Sequence, residues 1–367
     1  MNILRRLPLS RLLLLCAIVL AMGVSATAIA FALGTGPTPP AKPLAQAVHD
    51  ALAAPSVQGY SAEVKLTDHL LEGANLAGGG SGGGGSDSLT SNPLLSGASG
   101  RLWVAADGRT RLELQNEDGD TQVLYDGKTL TVYDASSNTL YRVNPPAEQG
   151  AGGDRAHRAS GQVPSVAKIE EALAKLEHVT VSGAKPTDVA GRPAYTVRVS
   201  PKESGSLLGG AELSWDANNG VPLRAAVYSS QDSSPVIELA TSNVSFGAVS
   251  DSVFEFKPPS NAKVEEVAFS RKHEGHGTHG GNGANRPQLR ADGTGVTAVG
   301  VLESKAKPGE KPLELPEQLP KVKVGNADAA ELSTALGTVL GFERSGVRYL
   351  LVGSVTPAQI EAVARGL

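Results

Sequence analysis

The sequence predicts an α+β protein built on one strongly curved antiparallel β-sheet, an incomplete half-barrel with helices covering its concave face. Three observations lead there. Short segments of alternating apolar and polar residues recur from Gly100 onward, about 8–11 residues apart. Turn pairs of the Asp-Gly type separate them. Only two amphipathic helical stretches accompany these strands, too few for a large sandwich, so the sheet must wrap around them.

Composition bounds the rest. A chain of 367 residues has room for one large or two modest domains with a real core. Lys+Arg of 33 against Asp+Glu of 37 leave a net charge of −4, without the basic excess of a nucleic-acid binder. Gly (43) and Pro (23) are plentiful while aromatics are 4%, which suits many turns. The single cysteine, Cys16, allows neither an internal disulfide nor a thiolate zinc site. Leu13-Leu14-Leu15 before it lack the small residue of a lipoprotein processing site.

At the N-terminus, Arg5, Arg6 and Arg11 precede an uncharged stretch from Leu12 to Leu33. As a helix it would extend ~33 Å, enough for a bilayer core. The Arg cluster would stay cytoplasmic and the remainder would lie outside. A cleaved signal peptide is the other reading, with Ala28-Ile29-Ala30 as the cleavage motif. Residues 1–33 are therefore a signal peptide or a membrane anchor, and under both readings the body is extracytoplasmic. Residues 34–43 form a stiff Pro-rich spacer.

The main domain is expected over 44–265. Leu44, Ala47, Val48, Ala51 and Leu52 follow helical spacing after Pro43. Tyr60 to Leu66 alternates as a strand, and 77–86 is a Gly-rich loop with no phosphate-binding signature. Strands are then predicted at Arg101–Ala105, Arg109–Gln115, Thr121–Tyr125, Thr129–Tyr133 and Thr139–Val143. Asp107-Gly108, Asp118-Gly119, Asp126-Gly127 and Ser137-Asn138 turn between them. Leu102, Val104, Leu112 and Leu114 point to one face; Arg101, Arg111 and Glu113 point to the other. After a polar loop at Ala147–Gly161, Val166, Ile169, Leu173 and Leu176 mark the second helix. Strands resume at Ala194–Ser200, Ala211–Trp215, Leu223–Ser229 and Val236–Phe246, with Asn218-Asn219-Gly220 as a turn. Phe254 to Phe256 is read as the last strand, ended by Pro258-Pro259.

Gly100-Arg101-Leu102-Trp103-Val104, Arg109-Thr110-Arg111-Leu112-Glu113, Leu124-Tyr125-Asp126-Gly127-Lys128 and Val132-Tyr133-Asp134 together resemble the LolA-like family, the lipoprotein-carrier superfamily. The Phe254–Pro259 ending is similar to the usual end of such domains, and Gly353-Ser354-Val355-Thr356-Pro357 resembles an ending of the family's membrane-tethered or exported actinobacterial branch. The resemblance covers roughly 43–265. It implies an incomplete barrel with a helical lid that binds lipid or lipoprotein acyl chains. It also implies a relationship to members that sense mislocalised lipoproteins and restrain an anti-sigma factor. The long Gly-rich insertion and the anchor depart from compact shuttling carriers.

Beyond the main domain, 266–320 reads as a His/Gly/Pro-rich linker and 321–367 as a small α/β extension. His273, His276 and His279 are spaced by three with Glu274 between, a weak metal candidate against the bland reading of a polar loop. Leu332, Ala335, Leu336, Val339 and Leu340 predict a helix capped by Asn326. A hairpin at Ser345-Gly346 and a final helix opened by Thr356-Pro357-Ala358-Gln359 follow. This tail is expected to dock on the main sheet.

No hydrolase, zinc-protease, Walker or dinucleotide signature is present. Asp126 and Asp134 are assigned to turns. The chain is expected to be a binding protein without a cofactor, its cavity lined by Leu102, Val104, Leu112, Leu114, Val123, Tyr125, Leu130 and Val132. The expected partners are acyl chains, the cytoplasmic membrane through 1–33, and an envelope protein; nucleic acid is not among them.

Overall fold

The computed structural model describes residues 25–26, 36–72, 93–117, 119–143, 163–267, 288–305 and 319–367. The first strands are β1 (Ser25–Ala26), β2 (Gly59–Asp68), β3 (Ala98–Ala105), β4 (Thr110–Gln115), β5 (Asp120–Tyr125), β6 (Leu130–Asp134) and β7 (Thr139–Val143). They continue as β8 (Val179–Val181), β9 (Lys185–Val189), β10 (Arg192–Pro201), β11 (Leu208–Asp216), β12 (Pro222–Ser229), β13 (Pro235–Phe246) and β14 (Lys263–Val267). These form one 14-stranded sheet in the order β14-β7-β6-β5-β4-β3-β2-β13-β12-β11-β10-β8, with β1 beside β13 and β9 beside β10. A twisted sheet beyond ~10 strands rarely persists without curling, splitting or flattening, and accumulated twist favours curling here.

Every strand predicted between Tyr60 and Phe246 is present, and the turn residues explain why. Gly108, Gly127, Asn138 and Gly220 take φ of 88°, 93°, 46° and 72°, the left-handed values that tight turns need. Asp126 Oδ1 accepts from the backbone N–H of Lys128 at 2.8 Å and of Thr129 at 2.7 Å. Asp134 Oδ1 accepts from the Ser136 N–H at 3.0 Å. Both carboxylates hold turns, as expected. The two meanders join where β13 pairs with β2, Val244 opposite Ala62 and Phe246 opposite Tyr60.

Among the described residues three α-helices belong to this half. α1 (Leu44–Ala53) packs Ala47, Leu44, Val48 and Ala51 on Tyr195 and Trp215. Leu52, expected on its inner stripe, is 54% exposed. α2 (Pro93–Ser96) is a single turn against β2. α3 (Val166–Ala174) buries Ile169, is capped by the Ser165 side chain, and lies against α1.

Other predictions are corrected. Phe254 to Phe256 is no strand; a 3-10 turn at Asp251–Phe254 leads into irregular chain on the outer face. Arg111 explains this, because its Nη1 grips the Val253 carbonyl at 2.6 Å while Arg109 covers the Phe254 ring. The expected linker contains two strands, β15 (Gln288–Asp292) and β16 (Val299–Lys305). With β17 (Lys321–Val324), β18 (Ala327–Thr334), β19 (Gly337–Arg344) and β20 (Val347–Gly353) they make a six-stranded antiparallel sheet, β15-β16-β20-β19-β18-β17.

The helix predicted through Leu332 and Leu340 is therefore the β18–β19 hairpin. Leu332 pairs with Val339 and Thr334 with Gly337. Hairpin folding makes neighbours of residues that helical spacing also brings together. Gly337 decides it: a Cβ there would meet the Gly353 carbonyl at 2.5 Å, and glycine disfavours a helix interior. The Ser345-Gly346 turn (φ 54° and 73°) and the final helix α4 (Pro357–Arg365) are as predicted. Gln359 Oε1 accepts from the Thr356 N–H at 3.0 Å. Ile360 and Ala364 of α4 are fully buried on Val301, Leu340 and Leu351, a core separate from that of the main sheet.

Among the described residues, hydrogen bonds join the smaller sheet to the larger at two places. Ser354 O accepts from Leu207 N–H at 2.7 Å and from Ser206 Oγ at 2.9 Å, and Leu70 O accepts from Ala335 N–H at 3.3 Å. Among the described residues no helix is long and apolar enough to cross a membrane. Apart from Ser25–Ala26, the stretch Leu12–Leu33 lies outside the described residues. So do the Gly-rich loop at 77–86 and the His273, His276, His279 segment.

Candidate ligand-binding face

Register brings all eight residues singled out in the sequence onto one face. Leu102 pairs with Leu112, Leu112 with Val123 and Val123 with Val132, an unbroken apolar row across β3–β6. Tyr141 of β7 extends it. Val104, Thr110, Tyr125 and Leu130 make the adjacent row, and Leu114 faces Gly100 in a third. Period-two alternation, repeated in each strand, produces this surface.

Burial divides the eight. Leu102 and Leu114 are 1% exposed, and Leu112 and Leu130 are 4% exposed. The first three pack with Tyr60, Val64, Leu66 and Leu239 in the main core. Val104, Val123, Tyr125 and Val132 are half-buried. Val123, Tyr125 and Val132 cluster around Leu130 and Val143. The same face continues through Leu239, Ala225, Leu213 and Val197 to the seat of α1. α1 thus lies over the β10–β11 end of the apolar face.

The opposite face is charged. Arg224 donates to Glu212 Oε2 at 2.8 Å and to Glu238, and Tyr228 donates to Glu212 at 2.7 Å. Burial opposes ionisation of Glu212, but the bonds from Arg224 and Tyr228 outweigh it and hold the carboxyl below its usual range. Burial likewise opposes the Arg224 charge, and its partners more than restore it. Arg198 lies over the Tyr228 ring at 4.2 Å. This lattice ties β10–β13 together on the side away from the apolar rows.

Two clefts were not foreseen in the sequence, because each is assembled from distant segments. One, of about 750 Å³, lies at the junction of the two sheets between Glu203–Gly209, Ser229–Ser233 and the start of α4. Its hydroxyls are largely engaged within its own walls: Ser206 Oγ on Ser354 O, Ser230 Oγ on Ser206 O, Thr356 Oγ1 on Gln359. The other, of about 190 Å³, lies on the charged face of β13-β2-β3 around Trp103. Among the described residues no three His, Cys, Asp or Glu side chains converge as a metal site.

Fold and face together define a β-rich protein of two tandem sheets, the larger mostly antiparallel with parallel β14–β7 and β1–β13 pairs and presenting a continuous apolar face. Among solved structures the chain is similar to MucB of Pseudomonas aeruginosa in its complex with MucA. The identity is 18% and the TM-score 0.43, over 88% of this chain and 96% of that one. It is also similar to a putative outer membrane lipoprotein-sorting protein domain from Vibrio parahaemolyticus, at 11% identity and TM-score 0.25, over 57% of this chain and 95% of that one. A LolA superfamily protein from Nitrosomonas europaea aligns at 8% identity and TM-score 0.20, over 85% of this chain and 91% of that one. No family model matches the chain, and no curated protein matches it.

Proposed function

We propose that this chain is an extracytoplasmic, non-enzymatic binding protein that takes a lipid or lipoprotein acyl chain on the apolar face of its main sheet. The observation that carries this is the pair of in-register rows from Leu102 to Val132 and from Val104 to Leu130, in which Val104, Val123, Tyr125 and Val132 keep accessible surface. The hydrocarbon lies over Val104, Val123, Tyr125 and Val132, while Leu102, Leu112, Leu114 and Leu130 form the floor. At about 25 cal/mol per Å² of apolar area, a chain of a dozen methylenes gains enough to bind there unaided. Residues 1–33 direct export and, left uncut, hold the protein at the cytoplasmic membrane.

The test is uptake of palmitate by the delipidated full chain, read by native mass spectrometry and calorimetry. One acyl chain per protein is expected, with binding weakened at least about tenfold in Val132→Glu at unchanged melting temperature. Absence of both co-purifying lipid and palmitate uptake would overturn the proposal.

The junction cleft favours a second reading, an envelope regulatory protein that holds a polypeptide partner between its two sheets. In-membrane crosslinking from Gln231 and Ser233 then recovers one protein stoichiometrically, with or without lipid. No such adduct forms if the first reading stands alone.

A further inference from the structure

Trp103 is one of only two tryptophans in the chain. Trp215 is 6% exposed under α1, whereas Trp103 is half-buried on the hydrophilic face of the main sheet. A large amphipathic ring displayed among charged residues gains from a partner with an apolar face and polar edges.

Its surroundings are assembled by register. Ser61 lies opposite Trp103, and Glu63 opposite Arg101. On the far side of β2, Ser245 faces Ser61 and Asn243 faces Glu63. A bulge in β13 between Thr241 and Asn243 makes this possible. Without the extra residue, Val244 and Phe246 would face outward; with it they turn to the core and Asn243 and Ser245 take their place.

Ser61, Glu63, Arg101, Trp103, Asn243 and Ser245 line the cleft of about 190 Å³. Among the described residues none of these side chains has a hydrogen-bond or ion-pair partner, in contrast to the engaged hydroxyls of the junction cleft. The volume equals about six waters at ~30 Å³ each, the bulk of one small ring and too little for a lipid tail. A lone anion is disfavoured by Glu63 and a lone cation by Arg101. Donors and acceptors mixed around an indole face complement a molecule with hydroxyls on its rim and C–H groups on its flat side.

We propose that this cleft is a saccharide subsite. One pyranose ring stacks on the Trp103 indole and hydrogen-bonds through its hydroxyls to Glu63, Arg101 and Asn243. The two faces of the main sheet then take different chemistries, and the subsite stands whether or not the apolar face binds lipid.

Calorimetry of the full chain with chitotriose and with mannotriose tests this. At least one is expected to bind, with affinity reduced at least about tenfold by Trp103→Ala and several-fold by the surface changes Glu63→Gln and Asn243→Ala. Trp103→Phe retains most of the binding, and Val132→Glu, on the opposite face, leaves it unchanged. Failure of both trisaccharides to bind, or undiminished binding by Trp103→Ala and Glu63→Gln, would overturn the proposal. Loss of a crosslinked protein partner in Trp103→Ala without saccharide binding would also overturn it, by making Trp103 an interface anchor instead.

Discussion

Asp68 ends β2 with a half-buried carboxyl whose Oδ1 accepts from the Leu70 N–H at 2.6 Å. Burial dominates and pushes its pKa up to about 6, against the opposing effects of that bond and of His69. A carboxylic acid with a raised folded pKa binds its proton more tightly folded than unfolded. Its contribution is fully present below about pH 3.8 and is lost as pH rises through about 6. Asp68→Asn should therefore flatten the fall in melting temperature between pH 4 and 6.5 (roughly the window between the two pKa values). An unchanged slope would remove Asp68 as its source. The Leu70 carbonyl in the same turn receives the Ala335 N–H of the smaller sheet. Nothing in the sequence marks Asp68 as unusual, because its burial is conferred by segments far away in the chain.

At the scale of elements, close backbone approach sets the limits. Gly100 lies opposite Leu114 in the β3–β4 pair, and a Cβ there would stand 1.7 Å from the Glu113 carbonyl. Gly100→Ala must push the strands apart, and we expect about 1–3 kcal/mol of destabilisation, read as a lower urea midpoint with unchanged slope. A midpoint equal to that of the parent would contradict the pairing. The strands of the main sheet were legible because each is bounded by turn residues whose φ is locally determined, such as Gly108 and Asn138. The short β8 and the parallel edge strand β14 lack both a turn pair and clear alternation, and the β9–β10 hairpin turns on Ala190-Gly191 (φ 57° and 72°), where alanine gives no turn signal. β18 and β19 were misread because Leu332, Ala335, Leu336 and Val339 follow helical spacing, while in the hairpin Ala335 and Leu336 form the turn and Leu332 pairs with Val339. Gly337 and Gly341 were the discriminating signal.

For the whole molecule, the decisive feature is two cores. Leu102, Leu114 and Leu239 belong to one, and Val301, Leu340 and Ile360 to the other. Among the described residues the hydrogen bonds between the sheets run through Ser354 and Ala335, and neither core extends into the other. Interfaces of this kind leave domains thermodynamically separable. Calorimetry of the full chain should show two unfolding transitions, and Leu340→Ala should lower only one, by about 2–5 kcal/mol. A single transition moving as a whole would refute this. Docking of the C-terminal part on the main half was expected; its being a full sheet with its own core was not. The strands that complete it, β15 and β16, are embedded in Pro- and charge-rich chain.

The sequence by itself determined the alternating strands, their turns and the face on which Leu102, Val104, Leu112, Leu114, Val123, Tyr125, Leu130 and Val132 lie. Those properties depend on neighbours within a few residues. Only the tertiary structure decided which of the eight are sealed and which stay accessible, and that the β13 bulge sets Asn243 and Ser245 beside Trp103. Burial and register are made by chain segments more than a hundred residues apart, such as β2 and β13, and no local pattern encodes their meeting.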